Sequence, residues 1–230
     1  MTAPFSLVFQ HNDFVIIDKY PGISVHKDDN ETAFVNDVAC ALGKEKLYLV
    51  HRLDKMTSGL LILACSSEAA ALLCGLFASK DIEKYYLALS AKKPKKKQGL
   101  VAGDMEKARR GAWKLTNGKT NPAVTQFFST AYTGNNGEAF RALLCKPHTG
   151  KTHQIRVAMK SVGAPLLGDE LYGGEASDRG YLHAYALRFH YKGENFSFVL
   201  SPQMGEHWYG REIEGWAVPW DLSWPVVKKN

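Results

Sequence analysis

Cysteine is scarce in this chain. Among 230 residues there are four, Cys40, Cys65, Cys74 and Cys145, and no two stand in C-x-x-C spacing. Such a pattern builds neither a disulfide framework nor a zinc site, and it suits a reducing cytoplasm. Long apolar runs are missing as well: nothing approaches the roughly 20 residues that a membrane-spanning helix requires. Residues 1–10 show no basic segment followed by an apolar one, so they do not read as a signal peptide. Neither of the glycine-rich nucleotide loops, G-x-x-x-x-G-K-[ST] or G-x-G-x-x-G, occurs. That weighs against a nucleotide-driven enzyme and against a methyltransferase built on such a loop. No fixed-period repeat is present, which excludes a solenoid.

What the chain does have is an ordinary globular composition, 45% hydrophobic and 23% charged, with a net charge of +6. Its length suffices for a real core, in one large domain or two small ones. The charge is concentrated. Between Lys92 and Arg110 stand eight basic residues, Lys92, Lys93, Lys95, Lys96, Lys97, Lys107, Arg109 and Arg110, against Asp104 and Glu106. This segment carries the whole excess. A clustered positive charge fits a polyanionic partner, because Lys and Arg supply most phosphate contacts. A solvated, partly mobile loop would read the same way.

Periodicity predicts strands at residues 7–9 and 14–18 around a turn, then a break at Tyr20-Pro21-Gly22. A helix is expected over residues 32–42, a short strand at 47–50, and a strand covered on both faces at 59–65. Ser66 or Ser67 can cap a helix running to about Ala78. Strands follow at 85–89, 124–128, 140–145, 182–190 and 196–200, with helical character at 153–162. Residues 91–118 show no clear period, and the tail from Trp216 reads as extended. Strands outnumber the short helices between them, so the class is α+β rather than a doubly wound parallel sheet. The Lys-rich stretch is a natural divider between two lobes of one domain, residues 1–230, with a basic insertion at about 91–118.

One segment carries chemistry: His51-Arg52-Leu53-Asp54-Lys55-Met56-Thr57-Ser58-Gly59-Leu60-Leu61. A carboxylate stands in a polar, turn-forming loop just before a buried strand, and catalytic groups favour loops held by rigid scaffolds. An aspartate in such a loop can equally cap a turn or pair with Arg52. The full string, however, resembles the signature of the RluA-type pseudouridine synthases, H-R-L-D-x-x-T-S-G-L-L, at every fixed position. The resemblance continues in order. Tyr20-Pro21-Gly22-Ile23-Ser24-Val25-His26 is similar to a shortened form of the family's opening motif, and Lys84-Tyr85-Tyr86-Leu87-Ala88-Leu89 to its K-x-Y-L-A-L strand. Thr149-Gly150-Lys151-Thr152-His153-Gln154-Ile155-Arg156-Val157 resembles T-G-R-T-H-Q-I-R-V. Gly168-Asp169, Tyr172-Gly173 and Leu182-His183-Ala184 match later motifs. Two departures are visible: Lys151 replaces an arginine and loses its bidentate fork, and Ala158 stands where a histidine is usual.

The resemblance implies the pseudouridine synthase catalytic fold, a mixed, mostly antiparallel sheet in two lobes with flanking helices. It implies a cofactor-free isomerisation of a uridine in structured ribosomal or transfer RNA, since no group is added or lost. Asp54 would be the nucleophile, attacking the ribose C1′ or the base C6, or assisting elimination through a glycal. Arg156 would pair with that carboxylate and keep it ionised, as a nearby cation does. Tyr86 would stack on the target base and help remove its C5 proton. Tyr85, its neighbour, points to the other face of a strand.

Ile155 would pack on the base's other side or in the core, and Arg52 would hold the flipped nucleotide or form an internal ion pair. His51 would order the loop, and Lys84 and Lys151 are candidates for phosphate contact or structural support. No metal is expected: His148 and His153 miss the i,i+4 spacing of paired ligands. Because the match begins by about Leu7, recognition falls to the catalytic domain and its basic insertion, with a monomer acting in the cytoplasm. A nuclease would want clustered carboxylates. A non-catalytic RNA-binding module would not need Asp54, Tyr86 and Arg156 together.

Overall fold

The computed structural model describes residues 4–25, 31–208 and 211–226. It divides into two compact units, one made of residues 1–83 and 183–202, the other of residues 84–182 and 203–230. The division falls at Glu83 and again at Leu182, not at the Lys-rich stretch. A lobe boundary of this kind is invisible to composition because the chain re-enters the first unit after leaving it. His26, the last residue of the opening motif, lies outside the described residues.

In the first unit, β1 (Phe5–Gln10), β2 (Phe14–Lys19) and β4 (Ser58–Ala64) run antiparallel in that order. Every residue of β4 is buried, as its unbroken apolar run requires. Its other edge is shared. Strand β3 (Tyr48–Leu49) pairs with Leu63 and Ala64, while β11 (Leu182–Tyr191) runs parallel beside Ser58 and Gly59. Strand β12 (Glu194–Val199) closes a hairpin on β11. Helix α1 (Glu31–Ala41) and helix α2 (Ser67–Ser79) agree with the expected spans to within a residue or two. Ser66 caps α2 by accepting the Ala69 amide, and Lys80 ends it in the left-handed conformation.

The second unit holds β5 (Glu83–Ser90), β10 (Ala139–Pro147), β9 (Ala123–Thr133) and β6 (Gln98–Gly103), all antiparallel. A separate hairpin pairs β7 (Met105–Lys107) with β8 (Trp113–Leu115), and helix α3 covers Gln154–Ser161. Here the structure departs from expectation. Residues 91–118, aperiodic on paper, contain three strands. Strand β6 alternates in burial, but glycines occupy two of its covered positions, which hides the pattern. A side chain at Gly103 would strike the Thr116 carbonyl at 2.3 Å, and one at Gly99 would press on Phe127 at 3.4 Å. The C-terminal tail is not extended throughout: residues 211–216 and 219–221 form short 3-10 turns. Trp224 packs on Phe128 and, with Trp220, on Tyr85, and Gln126 donates to the Pro225 carbonyl.

All four cysteines are free thiols. Among the described residues, no helix is long and apolar enough to cross a membrane. Within each unit the described sheet pairs are antiparallel except β4 with β11, so the architecture is the mixed α+β expected.

The parallel junction explains a glycine. Gly59 has φ +105°, and a β-carbon there would lie 2.4 Å from the Ala184 carbonyl oxygen and 2.7 Å from its nitrogen. Gly59→Ala should cost about 3 kcal/mol or more in urea unfolding, because backbone cannot yield as a side chain can. Gly43, at φ +62° with open space around it, supplies the control: Gly43→Ala should cost only about 1 kcal/mol of backbone strain. Equal losses at both sites would refute the packing account.

Candidate active site

The loop carrying Asp54 is held from several sides. Leu53 and Thr57 are buried, and the Thr57 amide donates to the Asp54 carbonyl at 2.9 Å, closing a turn around Lys55 and Met56. The Lys55 carbonyl accepts from the Gly22 amide at 2.8 Å. Lys19 is wholly buried, and its ammonium donates to the carbonyls of Tyr20 at 3.0 Å and Ile23 at 2.9 Å, with Lys55 at 3.5 Å. A buried ammonium is tolerated only when its donors are used. Here they tie the Tyr20-Pro21-Gly22 turn to the Asp54 turn.

His51 fills a gap in the sheet. The Ile62 amide lies on β4 between the stretches paired by β3 and β11, and it donates to His51 Nε2 at 3.0 Å. The ring stacks on Phe77 at 4.4 Å between centroids. Behind the loop, His183 Nε2 donates to the Leu200 carbonyl at 2.9 Å, so its Nδ1 is the acceptor and Ser58 Oγ donates to it at 2.8 Å. Asp54 itself is half-buried and Arg52 exposed.

In the second unit, Tyr85 is fully buried, with Lys146 over its ring at 5.0 Å and the two tail tryptophans against it. Tyr86, on the other face of β5, is only half-buried. The period-two choice between the two tyrosines therefore falls on Tyr86 as the accessible one. Lys84 is half-buried, and burial holds its ammonium below the usual lysine range.

The segment preceding α3 is built around Gln154. Its Oε1 accepts from Thr149 Oγ1 at 2.6 Å and the Lys151 amide at 3.0 Å, while its Nε2 donates to the Val124 carbonyl at 3.0 Å and Thr125 Oγ1 at 2.9 Å. Thr149, in turn, accepts the Val124 amide. Ile155 and Arg156 follow, both buried. A helix-surface arginine is thereby ruled out.

Arg156 forms a bidentate pair with Asp169, Nε to Oδ2 at 2.7 Å and Nη2 to Oδ1 at 2.8 Å. Both side chains are almost completely enclosed. Asp169 was legible only as part of a motif, without a role, because a partner thirteen residues away leaves no local trace.

Lys92, Lys93, Lys95, Lys96, Lys97, Lys107, Arg109 and Arg110 are all exposed. Two of them are hydrogen-bonded through the backbone: the Lys95 amide donates to the Val162 carbonyl and the Lys97 carbonyl accepts from the Ser129 amide. Arg109 and Arg110 sit at the turn of the β7–β8 hairpin. Lys151 is half-buried beside Gln154.

His148 and His153 take separate partners, Gln126 and Tyr172. Among the described residues, Asp178, Glu206 and His207 bring possible ligand atoms within 4.8 Å of one another. Two of the three already face other groups. Asp178 accepts from Tyr181, Ser177 and the Glu206 amide, and His207 faces Glu138 at 3.2 Å.

Residues 13–161 match the family model described as RNA pseudouridylate synthase. An uncharacterized RNA pseudouridine synthase of Haemophilus influenzae is 54% identical over 88% of this chain and 89% of its own. A second protein of that organism, tRNA pseudouridine synthase C, is 30% identical over 84% and 86%. Among solved structures, human RNA pseudouridylate synthase domain containing 1 superposes with a TM-score of 0.73, covering 88% of this chain and 85% of that one at 24% identity. That likeness establishes the shared fold.

The buried ion pair makes a sharp expectation. Asp169→Ala leaves the Arg156 charge enclosed without its carboxylate and should cost about 3–5 kcal/mol in urea unfolding. Adding Arg156→Met to that variant should recover more than half of the loss. If the single substitution costs under about 1 kcal/mol, the pair is not what holds this helix.

Proposed function

The chain belongs to the RNA pseudouridylate synthase family, and from that premise we propose that Asp54 is the nucleophile with which it converts a specific uridine to pseudouridine. The observation that carries this reading is the Asp54 loop. All nine fixed positions of the family signature are present in it, and it is clamped by Lys19, Thr57, His51 and Ser58. The reaction breaks the bond between C1′ and N1, turns the base, and joins C1′ to C5. The proton on C5 leaves and N1 regains one, so nothing is added and no cofactor is consumed.

The target must first leave its helical stack, at a cost of a few kcal/mol. Tyr86 stacks on the freed base, worth about 1–3 kcal/mol, and assists at the C5 proton. Ile155 packs against the base and Arg52 holds the extruded nucleotide. Arg156 is the cation that favours an ionised nucleophile. Lys84 and Lys151 support the backbone phosphates. One carboxylate serves three routes: attack at C1′, attack at C6, or assistance to elimination. The exposed basic residues from Lys92 to Arg110 bind the surrounding RNA, a stem-loop of transfer or ribosomal RNA. The protein acts in the cytoplasm as a monomer, with residues 1–230 working as a single catalytic domain.

Two measurements test this. Pseudouridine mapping of total RNA from cells lacking the gene should show loss of a site that wild type restores and Asp54→Asn does not. On purified substrate, that variant should be slower by about 10³-fold or more. An Asp54→Asn protein with wild-type turnover would sink the mechanism, and a chain that binds RNA without changing any uridine would be a binding module. Separately, neutralising Lys95, Lys96 and Lys97 together should weaken RNA binding and lower the salt slope by up to about 0.7–0.9 per charge. Unchanged affinity at several salt concentrations would remove these lysines from the interface.

A further inference from the structure

Tyr172 stands where three elements of the second unit converge. It is 2% exposed, and its hydroxyl lies 2.9 Å from the Trp113 amide and 2.8 Å from His153 Nδ1. The Trp113 N–H donates to the hydroxyl oxygen. The hydroxyl hydrogen is then available to the ring nitrogen of His153. Below the hydroxyl, the Tyr172 ring lies under the Arg156 guanidinium, 4.8 Å from Cζ to the centroid. Asp169 and Tyr172 begin and end a 3-10 turn, where residues three apart lie one above the other. The carboxylate grips the guanidinium through Nε and Nη2 while the aromatic face supports it.

Each partner of the hydroxyl matters to a different part of the site. Trp113 pairs with Lys107 on the β7–β8 hairpin, beside the turn bearing Arg109 and Arg110. His153 is the residue immediately before α3, and its backbone is left-handed at φ 56° with no side-chain cap to the helix. Left-handed backbone is uncommon outside glycine and persists where surroundings impose it. The His153–Tyr172 bond is one such restraint, and it sets the direction in which α3, with Ile155 and Arg156 in its first turn, begins.

We propose that Tyr172 is a positioning residue that couples the basic hairpin to Arg156. Its hydroxyl joins the hairpin to the start of α3, and its ring seats the guanidinium. RNA held on Lys107, Arg109 and Arg110 thus bears on the same side chain that fixes the helix carrying Arg156. The proposal rests on the catalytic reading of Arg156 given above.

Tyr172→Phe keeps the ring and removes only the hydroxyl. It should lower kcat about ten-fold or more, as a small misplacement near reacting groups does, with KM for RNA changed less than two-fold. His153→Ala should produce the same fall, and the double variant should fall no further than either single change, since both remove one interaction. His153→Asn, which tolerates the left-handed backbone and offers an acceptor oxygen, should recover most of the rate.

A second readout needs no activity. Hydrogen exchange at the Trp113 amide should quicken in both Tyr172→Phe and His153→Ala, and recover in His153→Asn. If wild type converts uridine and Tyr172→Phe matches its kcat, or if the two single losses multiply in the double variant, the coupling is wrong while the function stands. An unchanged Trp113 amide in folded Tyr172→Phe overturns it as well. A wild-type protein inactive on every RNA would instead overturn the catalytic reading, leaving the exchange data to judge the link.

Discussion

Strand β11 approaches β4 so closely at Gly59 that the Ala184 backbone occupies the space of a β-carbon. This contact joins residues far apart in the chain and dictates much around them. It demands glycine with a positive φ at the second position of the strand, and it brings Ser58 within reach of His183. Farther along β4, the Ile62 amide is taken by His51. The loop holding Asp54 is therefore bracketed. Its start is pinned through His51 and its end enters a strand that cannot shift register without breaking the junction. Lys19 adds a third restraint from beneath, where an ammonium in the core can find its donors used only by gathering backbone carbonyls. On the proposed reading of Asp54, a loop restrained in this way serves the chemistry, because a nucleophile gains from being held before the substrate arrives.

Arg156 poses a different physical problem. Enclosing a guanidinium and a carboxylate costs several kcal/mol of desolvation, and a well-packed apolar pair of the same volume would serve stability as well. The arrangement makes more sense as orientation. Two hydrogen bonds in a plane, with an aromatic face beneath, leave the guanidinium little freedom to rotate. The Gly168–Gly174 segment is shaped for this: at Gly168 a side chain would run into the Arg179 carbonyl at 1.8 Å, and at Gly174 into that of Leu166. The turn's compactness is what lets Asp169 and Tyr172 address one side chain together.

The tyrosine pair on β5 shows where sequence reading succeeds and where it stops. Alternation says that Tyr85 and Tyr86 face opposite ways. It does not say which faces the core, and the answer comes from Trp220 and Trp224, more than 130 residues later in the chain. The same limit applied to residues 91–118. Glycines at covered positions of β6 are there because neighbouring atoms leave no room, and this crowding is a property of the assembled sheet. His148 and His153, whose spacing gave no partner for either, each acquire a separate one, Gln126 and Tyr172, from segments distant in the chain.

The amino-acid sequence by itself determined the class of fold, the positions of most strands and helices, and the identity of the loop that bears Asp54. Those follow from local physics: side-chain alternation, helix caps, and an eleven-residue string whose order is intact. Tertiary structure alone decided the partners. That Arg156 is gripped by Asp169, that Lys19 reaches the Lys55 carbonyl of the Asp54 turn, and that Tyr172 reaches both His153 and Trp113 are all contacts between separated segments. A hydrogen bond or ion pair between distant segments depends on where the backbone brings two atoms within about 3 Å, and no periodicity in one chain records that distance.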